Sequence, residues 1–191
     1  MTLDFQSLWS KAIPYHEFVR DAHTNRALWE NMQTVAQIPE WAIAAVRSTG
    51  RKFNFLVLAE DWCGDGSSTI PYLAKLATIT RCIEVRVLHR DQHPEVMDRY
   101  LTDGARSIPI VIVLSRELEE LGHWGPRPAA LQEWVIRERE KNGMKPPFPQ
   151  IRRWYARDKG VSTLREVLSL VAPRAPEQEL MPVGSESRAS H

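Results

Sequence analysis

Cysteine is scarce in this chain of 191 residues, which has only Cys63 and Cys82. A helix is expected between them, over about residues 66–80, and at 1.5 Å per residue it would span roughly 20 Å. The Cα atoms of a disulfide lie within ~7 Å of one another. The two cysteines are therefore expected to remain unpaired, with Cys82 near the far end of the helix as a small apolar residue.

The chain also has no excess of either charge and no long apolar run. Lys and Arg number 25 and Asp and Glu 24, so the net charge is only +1. The charges are interspersed, which argues against a nucleic-acid or membrane partner. No apolar run reaches the ~20 residues of a spanning helix. The N-terminus lacks the basic start and apolar stretch of a secretory signal, so a cytoplasmic location is expected.

The composition along the chain predicts four segments. Residues 1–50 are interpreted as a helical segment that packs on the core, and 51–141 as the core itself. Residues 142–172 are expected to form a helical extension after a Pro- and Gly-rich linker. Residues 173–191 are rich in Pro, Glu and Ser and are predicted to be a disordered tail.

Within the core, apolar strands alternate with helices. This order predicts an α/β fold with a mixed central sheet flanked by helices, and extra helices at both ends. Strands are expected at 53–59, 84–88, 110–114 and 118–123, and helices at 66–80, 94–101 and 127–141.

Sequence patterns outside the core predict features of two further helices. Leu28, Met32, Val35 and Ala36 fall on one face of a helix in the first segment. In the extension, Thr163 and Glu166 have the spacing of a capping box, which predicts a helix N-terminus there.

Cys63 directly follows the apolar strand at 53–59 and precedes a glycine. A thiol at a turn from strand to helix is expected to be accessible and to have a lowered pKa, because the helix N-terminus stabilises a thiolate. Three neighbouring carboxylates, Glu60, Asp61 and Asp65, oppose that effect. The alternative is a reduced, inert cysteine in an inherited fold.

The stretch Trp62-Cys63-Gly64-Asp65-Gly66 resembles the thioredoxin-family site Trp-Cys-Gly-x-Cys, with Gly66 in place of the second cysteine. Pro71 matches the proline that commonly kinks the family's active-site helix. Ile108-Pro109, followed by an apolar strand, resembles the family's cis-proline loop. The resemblance covers about residues 53–141 and implies a thioredoxin-like fold.

The resemblance also implies the roles of particular residues. Cys63 would be the catalytic nucleophile, and a cis Pro109 would face it. The backbone before the proline would pair with an extended substrate, with Ile108 and Arg106 lining the groove. A trans proline at the start of an edge strand is the alternative. The substrate-binding residues implied are Trp62, Gly64, Asp65, Gly66, Ile108 and Pro109.

The absence of a second cysteine limits the thiol reactions that the motif can carry out. The family's buried aspartate, which serves the second thiol, is Val57 here, so a dithiol reductase is disfavoured. One thiol can attack a protein or peptide disulfide, and an external small thiol such as glutathione would then resolve the product. The alternative is a non-catalytic module that binds proteins or peptides. Single-cysteine glutaredoxins, some of which bind an iron–sulfur cluster, have Phe-Ser where this chain has Asp65-Gly66.

Other polar residues near the motif have simpler interpretations. Ser67 and Ser68 could donate to a thiolate, but helix capping is the favoured role. His89 and His93 are four residues apart, yet they fall at a strand end and in a loop, so no metal site is expected.

Overall fold

The computed structural model describes residues 3–171. The predicted disordered tail, 173–191, lies outside the described residues. None of the helices in the described part of the chain is long and apolar enough to cross a membrane.

A five-stranded mixed sheet forms the centre of the protein, which confirms the predicted α/β class. The strand order is β1-β3-β2-β4-β5, with β2 and β3 parallel and the other neighbours antiparallel. The strands are β1 (Ile13–Pro14), β2 (Phe53–Ala59), β3 (Ile83–His89), β4 (Ile110–Ser115) and β5 (Glu120–Trp124). Strand β1 was not predicted, because two residues are too few to show an alternating pattern.

Helices cover both faces of the sheet. They are α1 (Phe5–Lys11), α2 (Tyr15–Arg20), α3 (Arg26–Val35), α4 (Glu40–Ser48), α5 (Gly64–Thr80), α6 (Pro94–Met97), α7 (Ala129–Asn142), α8 (Phe148–Asp158) and α9 (Val161–Leu168). A single turn of 3-10 helix, Arg90–Gln92, links β3 to α6.

Strand β2 is buried on both faces, as expected for a central strand. Its residues Phe55 and Val57 belong to one apolar cluster, which includes residues of α3, α4, α5 and α9. Leu56 and Leu58 point to a second cluster, which includes residues of α1 and α6. Because side chains alternate along a strand, β2 joins the two cores and fixes where the chain enters α5.

Several predicted element boundaries differ from the structure. Strand β5 begins two residues later than expected because Leu118 has a φ of +66° and lies in the turn. Helix α7 begins at Ala129, after Pro128, which precludes an earlier helical start. Helix α6 ends at Met97 rather than at residue 101. The chain continues through turns at 98–100, where the Tyr100 amide donates to the Met97 carbonyl at 3.0 Å.

The predicted capping box at Thr163 and Glu166 is wrong. Helix α9 begins earlier, after Gly160, whose φ of +75° is available to glycine without strain. Glu166 instead accepts hydrogen bonds from Trp124 Nε1 at 2.6 Å and from the Ala129 amide at 3.0 Å. It thus ties α9 to β5 and to the start of α7.

The buried face of α3 also differs from the expected one. Val35 is 54% exposed, whereas Trp29 is fully buried. The Trp29 ring packs edge-on against Phe18 with centroids 5.1 Å apart, and its Nε1 donates to the Asp61 carbonyl at 2.9 Å. Trp29 therefore supports the turn that leads to Cys63.

We expect Trp29→Ala to lower the free energy of unfolding by about 3–5 kcal/mol, because it leaves a large cavity and an unpaired carbonyl. Trp41→Ala is the matched control, since Trp41 is 38% exposed and the Arg165 guanidinium lies 5.7 Å from its ring centre; its loss should be about 1 kcal/mol or less. Denaturant unfolding followed by circular dichroism measures both. Equal losses would contradict the assigned role of Trp29.

Candidate functional site

The motif cysteine caps the helix that follows it. The Cys63 amide donates to the Glu60 carbonyl at 3.0 Å, which closes the turn after β2. The Cys63 Sγ accepts a hydrogen bond from the Gly66 amide at 3.2 Å. Cys63 is thus the N-cap of α5, and its sulfur faces one of the helix's free amide groups.

The sulfur also contacts the loop that precedes β4. The thiol donates to the Ile108 carbonyl, with 3.4 Å between Sγ and oxygen, and the Ile108–Pro109 bond is cis. A second cis bond, Gly125–Pro126, packs against this loop. A Cβ atom on Gly125 would lie 2.1 Å from the Pro109 carbonyl oxygen, so only glycine permits the contact.

The prediction of an accessible thiol is wrong: Cys63 is 5% exposed. Cys63 belongs to the second apolar cluster of the sheet. The Phe148 ring lies beside it, with its tip so close to Gly64 that a Cβ there would lie 1.9 Å from Phe148 Cζ. No motif or periodicity in the C-terminal extension indicates that it folds back onto the cysteine motif.

The predicted lowering of the pKa of Cys63 is wrong as well. Burial raises the pKa of the Cys63 thiol to about 11, because a thiolate would lose its hydration. The hydrogen bond from the Gly66 amide acts in the opposite direction but does not offset burial. The charges of Asp65 and Arg127 also oppose one another at the sulfur.

Asp65 joins three helical elements beside the cysteine. Its Oδ2 lies 2.6 Å from Arg127 Nη2, just before α7, and its Oδ1 accepts from the Tyr155 hydroxyl of α8 at 2.8 Å. The side chains of Asp65 and Arg127 are only 9% and 16% exposed. Burial alone would lower the pKa of Arg127, but the carboxylate outweighs burial and the pKa is raised. Burial and the nearby charge also raise the pKa of Tyr155.

The other two carboxylates near the motif are occupied by structural contacts. Glu60 accepts from the Asp91 amide at 2.8 Å and lies 3.0 Å from His89 Nδ1. Asp61 accepts from the amides of His23 and Thr24 at 2.7 and 2.8 Å. Both carboxylates therefore fix loops around the motif.

Trp62 forms an exposed rim beside the buried sulfur. Its side chain is 46% exposed, and the Arg90 guanidinium lies 5.0 Å from its ring centre. Arg90 Nη1 also donates to the Arg106 carbonyl at 3.0 Å, and Arg106 itself pairs with Asp98. The rim therefore connects the motif to the segment that leads to Ile108.

The two serines in the first turn of α5 do not contact the sulfur. Ser67 and Ser68 Oγ both donate to the Gly64 carbonyl, at 3.0 and 2.8 Å. Val57 is fully buried in β2 and brings no acid to the site. The second cysteine, Cys82, is free and donates to the Thr80 carbonyl.

No metal-binding cluster forms in residues 3–171, where no three His, Cys, Asp or Glu side chains come together. His93 pairs with Glu95 at 3.2 Å, away from the Glu60 partner of His89.

Three residues at the site were not identified from the sequence: Arg127, Phe148 and Tyr155. Arg127 lies in a Gly-Pro-Arg-Pro stretch that signals only a helix start. Phe148 and Tyr155 share one face of α8, but an amphipathic face does not reveal what it packs against.

A mixed sheet with a cysteine at the N-terminus of a helix and a neighbouring cis-proline loop defines a thioredoxin-like α/β protein. A family model described as thioredoxin matches residues 12–141, more than half of the chain. The chain therefore belongs to the thioredoxin family.

Two solved structures share the fold. A protein of unknown function, PA1234, from Pseudomonas aeruginosa matches with a TM-score of 0.72 and 18% identity, over 89% of this chain and 98% of that chain. An HIV epitope scaffold matches with a TM-score of 0.70 and 17% identity, over 88% and 98% of the two chains. At these identities the likeness shows the fold alone. The comparison with curated proteins gave no match.

We expect the alkylation of Cys63 by iodoacetamide to rise with pH until the pH approaches 11, the raised pKa of the thiol. Only the thiolate reacts, so a raised pKa makes the reaction slow at neutral pH and about tenfold faster per pH unit. Mass spectrometry of a Cys82→Ser variant measures this rate, with the additional Cys63→Ser variant as blank. A plateau near neutral pH would contradict the assignment.

Proposed function

We propose that the protein catalyses thiol–disulfide exchange through Cys63 as its single reactive cysteine. The observation that carries the proposal is the position of Sγ between the Gly66 amide and the Ile108 carbonyl, next to cis Pro109. The amide can donate to a thiolate as well as to a thiol. The Ile108 carbonyl beside the sulfur is a backbone acceptor, and an extended substrate segment can pair with it.

The reaction needs one thiol from the protein and one from outside. Cys63 loses its proton to solvent, and the thiolate attacks one sulfur of a mixed disulfide. The disulfide breaks, the substrate leaves as a thiolate that takes up a proton, and the attacked sulfur stays bound to Cys63. An external thiol of the glutathione class, which is a co-substrate rather than a bound cofactor, then attacks as its thiolate the sulfur bound to Cys63. A new disulfide between these two sulfurs leaves, and Cys63 is released as a thiolate that takes up a proton.

The absence of a second thiol at the site supports this monothiol sequence. Gly66 holds the place where a resolving cysteine would stand, and its amide contacts Sγ directly. Cys82, the only other cysteine of the chain, lies beyond the far end of α5. A reducing compartment such as the cytoplasm would supply the external thiol.

The resting thiol is poorly reactive. With a pKa of about 11, only about one Cys63 side chain in ten thousand is a thiolate at pH 7. Exchange at a useful rate therefore requires a rearrangement that exposes the sulfur to water or to substrate.

The burial of Cys63 also favours a second candidate function, a non-catalytic module that binds proteins or peptides. In that case the exposed Trp62 rim would hold the partner, and the sulfur would remain a structural N-cap. This candidate requires no thiolate.

A glutathionylated peptide with excess glutathione tests the first function. We expect turnover by the protein, retention of turnover in Cys82→Ser, and a fall to the uncatalysed rate in Cys63→Ser, because only Cys63 forms the mixed disulfide. Release of the reduced peptide measures the rate. If the protein gives no turnover, while it and Cys63→Ser bind the peptide equally well, the catalytic proposal is wrong and the binding module is favoured.

A further inference from the structure

Helix α8 lies directly over the motif and meets it at two points. At its first residue, the tip of the Phe148 ring rests on Gly64. Seven residues later, the Tyr155 hydroxyl donates to Asp65 at 2.8 Å. Residues seven apart lie on the same face of a helix, so one face of α8 follows the start of α5.

The contact at Gly64 depends on the absence of a side chain. Any Cβ at this position would lie between 1.9 and 2.6 Å from three carbon atoms of the Phe148 ring. Gly64 follows Cys63 in sequence, so the ring covers the backbone next to the reactive sulfur. The backbone surface under the ring, at Gly64, fits the edge of an aromatic side chain.

Helix α8 packs on a small apolar cluster of its own. Its buried residues, Ile151 and Tyr155, form a small apolar cluster with Leu131 and Val135 of α7, separate from the two cores of the sheet. Phe148 itself is 38% exposed. A segment with a small core of its own opens at a lower free energy than the whole fold.

The linker before α8 is exposed except at Pro146, which is buried. It begins at Gly143, with a φ of +71°, and continues through Met144, which is 69% exposed. Helix α8 ends at Asp158, and its C-cap Lys159 has a φ of +52°. Because α8 contributes no residue to the two cores of the sheet, its displacement from Gly64 breaks the Tyr155 hydrogen bond to Asp65 but leaves those cores in place.

We propose that α8 occupies, in the resting protein, the surface on which the substrate of Cys63 binds, and that this substrate is a polypeptide whose aromatic side chain replaces Phe148 on Gly64. The proposal rests on the exchange function of Cys63. It explains how one site holds a buried thiol and still serves as a reaction centre. Binding of the substrate displaces the ring, and the sulfur becomes accessible in the same event.

The first experiment measures access to the thiol and does not depend on exchange. In a Cys82→Ser background, we expect Phe148→Ala to raise the rate at which iodoacetamide alkylates Cys63 about fivefold. The reason is that the loss of one half-buried ring makes α8 easier to displace. Met144→Ala, a change in the same linker at an exposed side chain, should leave the rate unchanged. Tyr155→Phe, which removes only the hydrogen bond to Asp65, should also raise the rate. Unchanged alkylation rates in both Phe148→Ala and Tyr155→Phe would contradict the proposal that α8 limits access to Cys63.

The second experiment tests the kind of substrate. Two glutathionylated peptides that differ only in Phe or Ala beside the cysteine are compared as substrates of the unaltered protein. Faster reaction of the Phe peptide supports the proposal, and equal rates overturn the aromatic assignment. If Phe148→Ala is alkylated faster but neither peptide reacts, the exchange function and the substrate assignment are wrong, while the cover stands.

Discussion

The site depends on one buried carboxylate, that of Asp65. It pairs with Arg127 at 2.6 Å and accepts from Tyr155 at 2.8 Å, so it joins the start of α5 to two segments from the C-terminal part of the chain. A buried charge without partners is unfavourable, and each partner here is needed to stabilise the other two groups. The contact therefore places α8 over the motif, beside the buried Cys63.

The pKa of Cys63 reflects two opposing effects, the loss of hydration on burial and the stabilisation of a thiolate by local dipoles. The Gly66 amide and the N-terminus of α5 favour a thiolate, as in any cysteine at such a position. Asp65 and Arg127 oppose one another at the sulfur, so the loss of hydration decides the outcome and the pKa of Cys63 is raised.

The central sheet was predicted well from the sequence, because β2 and β4 are apolar runs and β3 alternates apolar and polar residues. The sequence also placed Cys63 at the junction of strand and helix. It did not predict that Cys63 is buried, because the Phe148 and Tyr155 contacts come from a segment 80 to 90 residues later. Trp29 was missed for a similar reason: its burial depends on the turn after β2, which helical periodicity does not reveal.

The central claim is that Cys63 reacts only when α8 leaves the motif. Hydrogen exchange measured on the protein with Cys63 trapped in a mixed disulfide with a peptide tests it most directly. The account predicts that the amides of α8 lose protection relative to the free protein, while those of β2 and β4 keep theirs. Unchanged protection of α8 in the trapped protein would contradict the account.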